Sequence, residues 1–170
     1  MKMHLFRIRG EIVELVSVKN IVFGYGQTPA LNGVSFQINS GEFTGVIGPN
    51  GASKSTILRI MLGLLQPWEG SVEISPLNGA GKSLNIGYVP QQIASFNTGF
   101  PSTVLELVRS GRYKRGKWLR RLRDHDHEIV ENALKMTGMW ELRDQKIGAL
   151  SGGQKQRIVI ARALAAEPDL

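Results

Sequence analysis

The sequence predicts an α/β fold in which an antiparallel β portion leads into a strand, glycine-rich loop and helix, followed by a helical insert. Three observations carry this. Two early segments, ELVSVKNIVFGYG and NGVSFQINSGE, mix β-branched and aromatic residues with alternating polarity and are punctuated by glycine. The apolar run EFTGVIG passes straight into GPNGASKST, after which apolar residues recur at helical spacing. Beyond residue 92 the strand signals give way to helix start and stop signals.

Taken in order, the two early segments read as antiparallel strands. EFTGVIG has the unbroken apolar character of a strand buried on both faces. After the loop, Ile57, Leu58, Ile60, Met61, Leu64 and Leu65 mark one apolar helix face. QPWEG is a turn, SVEI a returning strand, and LNIGYVPQ another buried strand ending at Pro90. Thr103 and Glu106 have capping-box spacing, and Gly111 stands where a helix stop belongs. Ile129, Ala133 and Met136 mark a second helical face that closes at Gly138. Ser151 and Gln154 repeat the capping-box spacing at the start of a last helix, which Pro168 ends.

Composition narrows the class. The chain has 170 residues, 42% apolar and 21% charged, the balance of a soluble globular domain. No apolar run approaches the ~20 residues of a membrane span, and the start lacks the apolar core of a secretory signal. The absence of cysteine excludes disulfides and thiolate metal sites and fits a cytosolic setting. The net charge of +7 is local, because Arg112, Lys114, Arg115, Lys117, Arg120, Arg121 and Arg123 form an acid-free run. Without them basic and acidic residues balance at 14 each. That distribution argues against a nucleic-acid partner and leaves either a solvated surface or contact with anionic lipid headgroups, with Tyr113 and Trp118 interleaved.

The residues Gly48, Pro49, Asn50, Gly51, Ala52, Ser53, Lys54, Ser55 and Thr56 follow the phosphate-binding pattern G-x-x-x-x-G-K-[ST] at every position but one. Ser53 stands where the second glycine is expected. Backbone N–H groups from Asn50 to Lys54, curling into a helix start, suit phosphate oxygens, and the helix dipole adds positive potential. Lys54 brings a full charge, worth about 4 kcal/mol at 4 Å for an effective dielectric near 20. Ser55 places a hydroxyl where Mg²⁺ between phosphates takes a ligand. The plain alternative is an ordinary strand-to-helix turn. A left-handed backbone at Ser53 would cost about 1 to 3 kcal/mol of strain, and ATP binding weakened by roughly one to two orders of magnitude is the expectation.

A second glycine-rich helix start, LSGGQ at residues 150–154, offers another anion-binding surface, although by itself it also suits an ordinary N-cap. Its position about a hundred residues after the loop, with both motifs in order, resembles the ATP-binding-cassette ATPases. The resemblance covers essentially the whole chain. It implies a nucleotide-binding core over 1–92, a helical subdomain over 93–149, and the signature with its helix over 150–170. It also implies that Tyr25 stacks on adenine and that Gln91 touches Mg²⁺ and couples the site to the membrane partner. Ser151, Gly152, Gly153 and Gln154 would contact ATP held by the opposite subunit of a head-to-tail homodimer. An integral membrane permease, and through it a solute-binding protein, would complete the complex on the cytoplasmic face of the membrane.

In the family a strand ending in Asp-Glu follows the signature helix, and a histidine lies further on. The chain ends at AEPDL, where that strand would begin, and His4, His125 and His127 all precede the signature. The expectation is therefore a fragment that binds nucleotide, lacks catalytic residues of its own and is marginally stable alone. The run FPSTVLELVRSGR resembles ATPases of zinc or manganese importers, with iron-chelate, haem or cobalamin import as the alternative. A soluble cassette protein and a non-hydrolysing remnant are the rival readings. DHDHE (124–128) carries two histidines two residues apart, which lie on different helix faces, so a solvated, Asp-rich helix start is expected in place of a metal site.

Overall fold

The computed structural model describes residues 2–7, 13–91, 101–113 and 121–170. Strands β2 (Glu14–Tyr25) and β3 (Thr28–Asn39) pair antiparallel, as their alternation predicts, through a tight turn whose Gly26 has φ 86°. Strand β5 (Glu69–Ile74) adds to the other side of β2, giving the order β3-β2-β5. Chain-start residues with no strand signal in the sequence reading form β1 (Lys2–Arg7), which pairs antiparallel with β4 (Glu42–Ile47). Among the described residues every strand pair is antiparallel.

By contact the chain forms two units, residues 1–84 with Leu170, and residues 85–169. The first unit's core packs α1 (Lys54–Met61) on the three-stranded sheet, with Val16, Ile21 and Ile57 fully enclosed. Burying three such side chains stabilises by roughly 1.5–3 kcal/mol each. The second unit packs α2 (Val104–Arg109), α3 (Asp124–Met136) and α4 (Gly152–Ala165) around Val104, Leu134, Ile147 and Ile158.

Several expectations change. EFTGVIG is a strand but is only half-buried, since among the described residues it pairs with β1 alone and its Phe43 is 72% exposed. LNIGYVPQ forms no strand, because among the described residues no strand lies alongside to take its N–H and C=O groups beyond Asn85. Helix α1 stops at Met61, ahead of Gly63 at φ 69°, so Leu58 and Leu64 are exposed and the buried face is Ile57, Ile60 and Met61. In α3 the face turns by one position: Val130, Ala133 and Leu134 are buried and Met136 is exposed. Gly111 does not stop a helix through positive φ; it lies in a 3-10 turn, Ser110–Arg112, where a Cβ would fall on the Arg162 carbonyl oxygen. Phe100 of the importer-like run lies outside the described residues, as do Lys114, Arg115, Lys117, Trp118 and Arg120 of the cationic run.

Candidate nucleotide-binding site

Strand β4 delivers the chain into the loop, and α1 begins at Lys54. Two residues of the loop have left-handed backbone: Gly51 at φ 82° and Ser53 at φ 57°, ψ 25°. Glycine adopts this region freely, whereas an L side chain strains against the following carbonyl. Ser53 thus occupies the position that requires glycine, with a glycine's backbone. An ordinary N-cap serine sits in the extended region and caps with its hydroxyl; Ser53 makes no such bond.

That conformation shapes the first turn. The N–H groups of Thr56 and Ile57 both donate to the Ser53 carbonyl, at 3.1 Å each. The N–H groups of Lys54 and Ser55 are left without an acceptor inside the helix, as at any helix start, and point out of it. Lys54 Nζ donates to the carbonyls of Gly48 at 2.8 Å and Pro49 at 2.6 Å, closing the loop into a ring. The Ala52 N–H donates to the Pro49 carbonyl at 3.2 Å. Asn50 and Ser55 are exposed on the rim.

Tyr25, at the end of β2, meets this loop directly. Its hydroxyl lies 3.2 Å from the hydroxyl of Thr56, which is itself buried, and its ring stands edge-on to Phe23 at 5.2 Å. The ring remains 63% exposed. A phenol anchored at one end with a free face suits a flat partner beside the loop. The Tyr25–Thr56 contact has no signature in the sequence.

In the second unit, Ser151 caps α4 by a reciprocal box: its N–H donates to Gln154 Oε1 at 2.8 Å, and the Gln154 N–H donates to Ser151 Oγ at 3.3 Å. A Cβ at Gly152 or Gly153 would meet nothing within 4 Å, so this helix start presents bare backbone. The Thr103–Glu106 box is present too, at 2.7 and 3.2 Å. Gln91 is exposed at the end of the extended segment that follows Asn85.

Charge separates the helix starts into two kinds. α2 carries Glu106 and α3 carries Asp124 and Asp126 in the first turn, where acids neutralise the dipole. The first turns of α1 and α4 hold no acid. The two starts that match the phosphate loop and the signature thus keep their positive ends for an anion. The phosphate-loop residues fit a triphosphate: open N–H donors at the start of α1, the Lys54 cation and no acid in the first turn.

His125 and His127 are exposed, and among the described residues no group of three His, Asp or Glu side chains could hold an ion. Asp126, however, is 1% exposed and not solvated, because it receives Arg112 Nε at 2.9 Å. Arg112 in turn is not part of a free cationic surface, its side chain being 12% exposed. Composition shows neither fact; only the packing of α2 against α3 and α4 does.

The profile of the ABC transporter family matches residues 31–170. The chain is 66% identical, over 93% of its length, to the high-affinity zinc uptake system ATP-binding protein ZnuC of Bacillus subtilis. It is 52% identical, over 91%, to the zinc transport system ATP-binding protein AdcC of Streptococcus pneumoniae. It spans about two thirds of the length of these relatives, 68% and 66%. Among solved structures, cbiO1 from Clostridium perfringens, part of the ABC transporter complex cbiONQ, superposes with a TM-score of 0.69 at 30% identity, covering 91% of this chain and 62% of that one. On the phosphate loop, the signature-like helix start and these likenesses together, the chain belongs to the ABC transporter family as an ATP-binding-cassette ATPase domain.

Proposed function

We propose that the protein is the ATP-binding subunit of an importer for a divalent metal ion, zinc before manganese. The observation that carries the cargo is the 66% identity to a zinc uptake ATP-binding protein, which extends over nearly the whole chain. The loop geometry supports the nucleotide part. Lys54 and the N–H groups of Lys54 and Ser55 hold the phosphates, and Tyr25 lies flat against the base. In this reading the Ser55 hydroxyl would hold Mg²⁺. ATP supplies a triphosphate whose cleavage releases the free energy of transport, and Mg²⁺ neutralises charge between its phosphates.

In a head-to-tail pair of subunits, Ser151, Gly152, Gly153 and Gln154 of one copy face the phosphates held by the loop of the other. The bare glycine backbone lets that helix start approach closely, and the Ser151–Gln154 box holds its direction. Two such sites make dimer closure dependent on nucleotide, and a membrane permease converts closure into a change of access. No helix among the described residues is long and apolar enough to cross a membrane.

Cells carrying the intact protein with Lys54→Ala test this. The expected outcome is loss of high-affinity zinc uptake with manganese uptake less affected. Unchanged uptake of both metals in that variant contradicts the proposal, and loss confined to manganese reverses the cargo.

A further inference from the structure

The C-terminal end of α4 is held by groups that the nucleotide reading does not use. Arg112 Nη1 donates to the Ala165 carbonyl at 2.8 Å and to Glu167 Oε2 at 2.8 Å, while its Nε donates to Asp126 Oδ1 at 2.9 Å. One guanidinium therefore joins the last turn of α4, Glu167 two residues past its end, and the first turn of α3. Asp126 is fixed in turn by accepting the Arg123 N–H at 3.0 Å. Asn85 completes the cap, its Nδ2 donating to the Ala166 carbonyl at 2.6 Å. Gly111, one residue before Arg112, has no side chain to hold the turn away from the Arg162 carbonyl.

These contacts do more than satisfy the orphan carbonyls of a helix end. The planar fork of arginine fixes direction as well as distance, which a lysine ammonium does not. Helix α4 has 14 residues and is about 21 Å long at 1.5 Å per residue. Holding its far end on α3 therefore sets where its near end, Ser151 to Gln154, points. The Arg112–Asp126 pair is shielded from water, at 12% and 1% exposed, whereas Glu167 closes the junction from the solvent side at 57%.

We propose that Arg112 is a positioning residue for the signature: through Asp126, Glu167 and the Ala165 carbonyl it aims the N-terminal end of α4. The inference rests on the reading of Ser151–Gln154 as the surface that meets nucleotide on a second copy. The sequence run around Gly111 and Arg112 then has a mechanical meaning. The glycine allows the close approach and the arginine makes the fastening.

The test uses the intact protein as unmodified chain, Arg112→Met and Arg112→Lys, all studied well below their melting temperatures. Three quantities are compared: ATP affinity of the single subunit, ATP-driven dimerisation, and amide exchange at residues 151–155 against residues of β2. Arg112→Met is expected to leave ATP affinity within about twofold, because the loop is untouched, and to weaken ATP-driven dimerisation by about tenfold or more. Exchange should rise at 151–155 and not in β2, and Arg112→Lys should recover part of both effects. A variant that melts earlier yet dimerises like the unmodified chain, with exchange raised evenly, would falsify the proposal and leave Arg112 a stabilising residue only. An unmodified protein that binds ATP without dimerising overturns the two-copy reading instead, and the positioning role falls with it.

Discussion

Ser53 decides how the loop should be understood. Sequence alone charges the strain of a left-handed serine to ATP binding; a backbone already left-handed in the folded chain charges it to folding. The αL cost is about 1–2 kcal/mol. Glycine gives back about 0.4–1 kcal/mol of that through its looser unfolded chain. Ser53→Gly should therefore stabilise the protein by roughly 0.5–1 kcal/mol, a rise in melting temperature of about 2 °C. A lower melting temperature in the variant would show that the serine is not strained there. Tyr25 gives a second prediction at this scale. Tyr25→Phe loses the Thr56 contact but keeps the ring, so ATP affinity should hold within about twofold. Tyr25→Leu removes the aromatic face and should cost about 1 kcal/mol of ATP binding, roughly fivefold in titration.

At the scale of elements, the two capping boxes provide a matched pair. Thr103→Ala and Ser151→Ala each remove one side-chain cap, at a cost of about 1 kcal/mol or a few degrees of melting temperature. Only Ser151→Ala should also impair ATP-driven dimerisation, and equal dimerisation in both variants would make the signature start an ordinary cap. Gly111→Ala drives a methyl group into the α4 backbone and should destabilise by about 1–3 kcal/mol, read in a denaturant titration.

What was legible at this scale follows from local physics. Alternation marked β2 and β3, the QPWEG turn marked the return into β5, and side chains three residues apart marked both boxes, because each signal is local. The misread features depend on neighbours. EFTGVIG and LNIGYVPQ are equally apolar, yet only the first finds a partner strand among the described residues. The faces of α1 and α3 drifted by a position because short helices offer few turns to fix a period. Arg112 was hidden inside a run of like charges whose other described members, Arg121 and Arg123, are exposed.

For the whole molecule, two units divide the proposed work. The first carries the loop and Tyr25, the second the signature helix and its fastening at Arg112. The candidate site residues stand out in the sequence as residue types in order, since phosphate chemistry demands a glycine-rich turn, a lysine and a hydroxyl at fixed spacing. Their geometry was not, because a left-handed φ at Ser53 and a phenol resting on Thr56 leave no mark on composition or period. The central claim is that a serine in the glycine position leaves this loop a working ATP site. Equilibrium titration of MgATP against the intact protein and its Ser53→Gly variant tests it most directly. Saturable binding by both, with affinities within about fivefold, is the predicted result. No saturable binding by the unmodified protein, restored in Ser53→Gly, would contradict it.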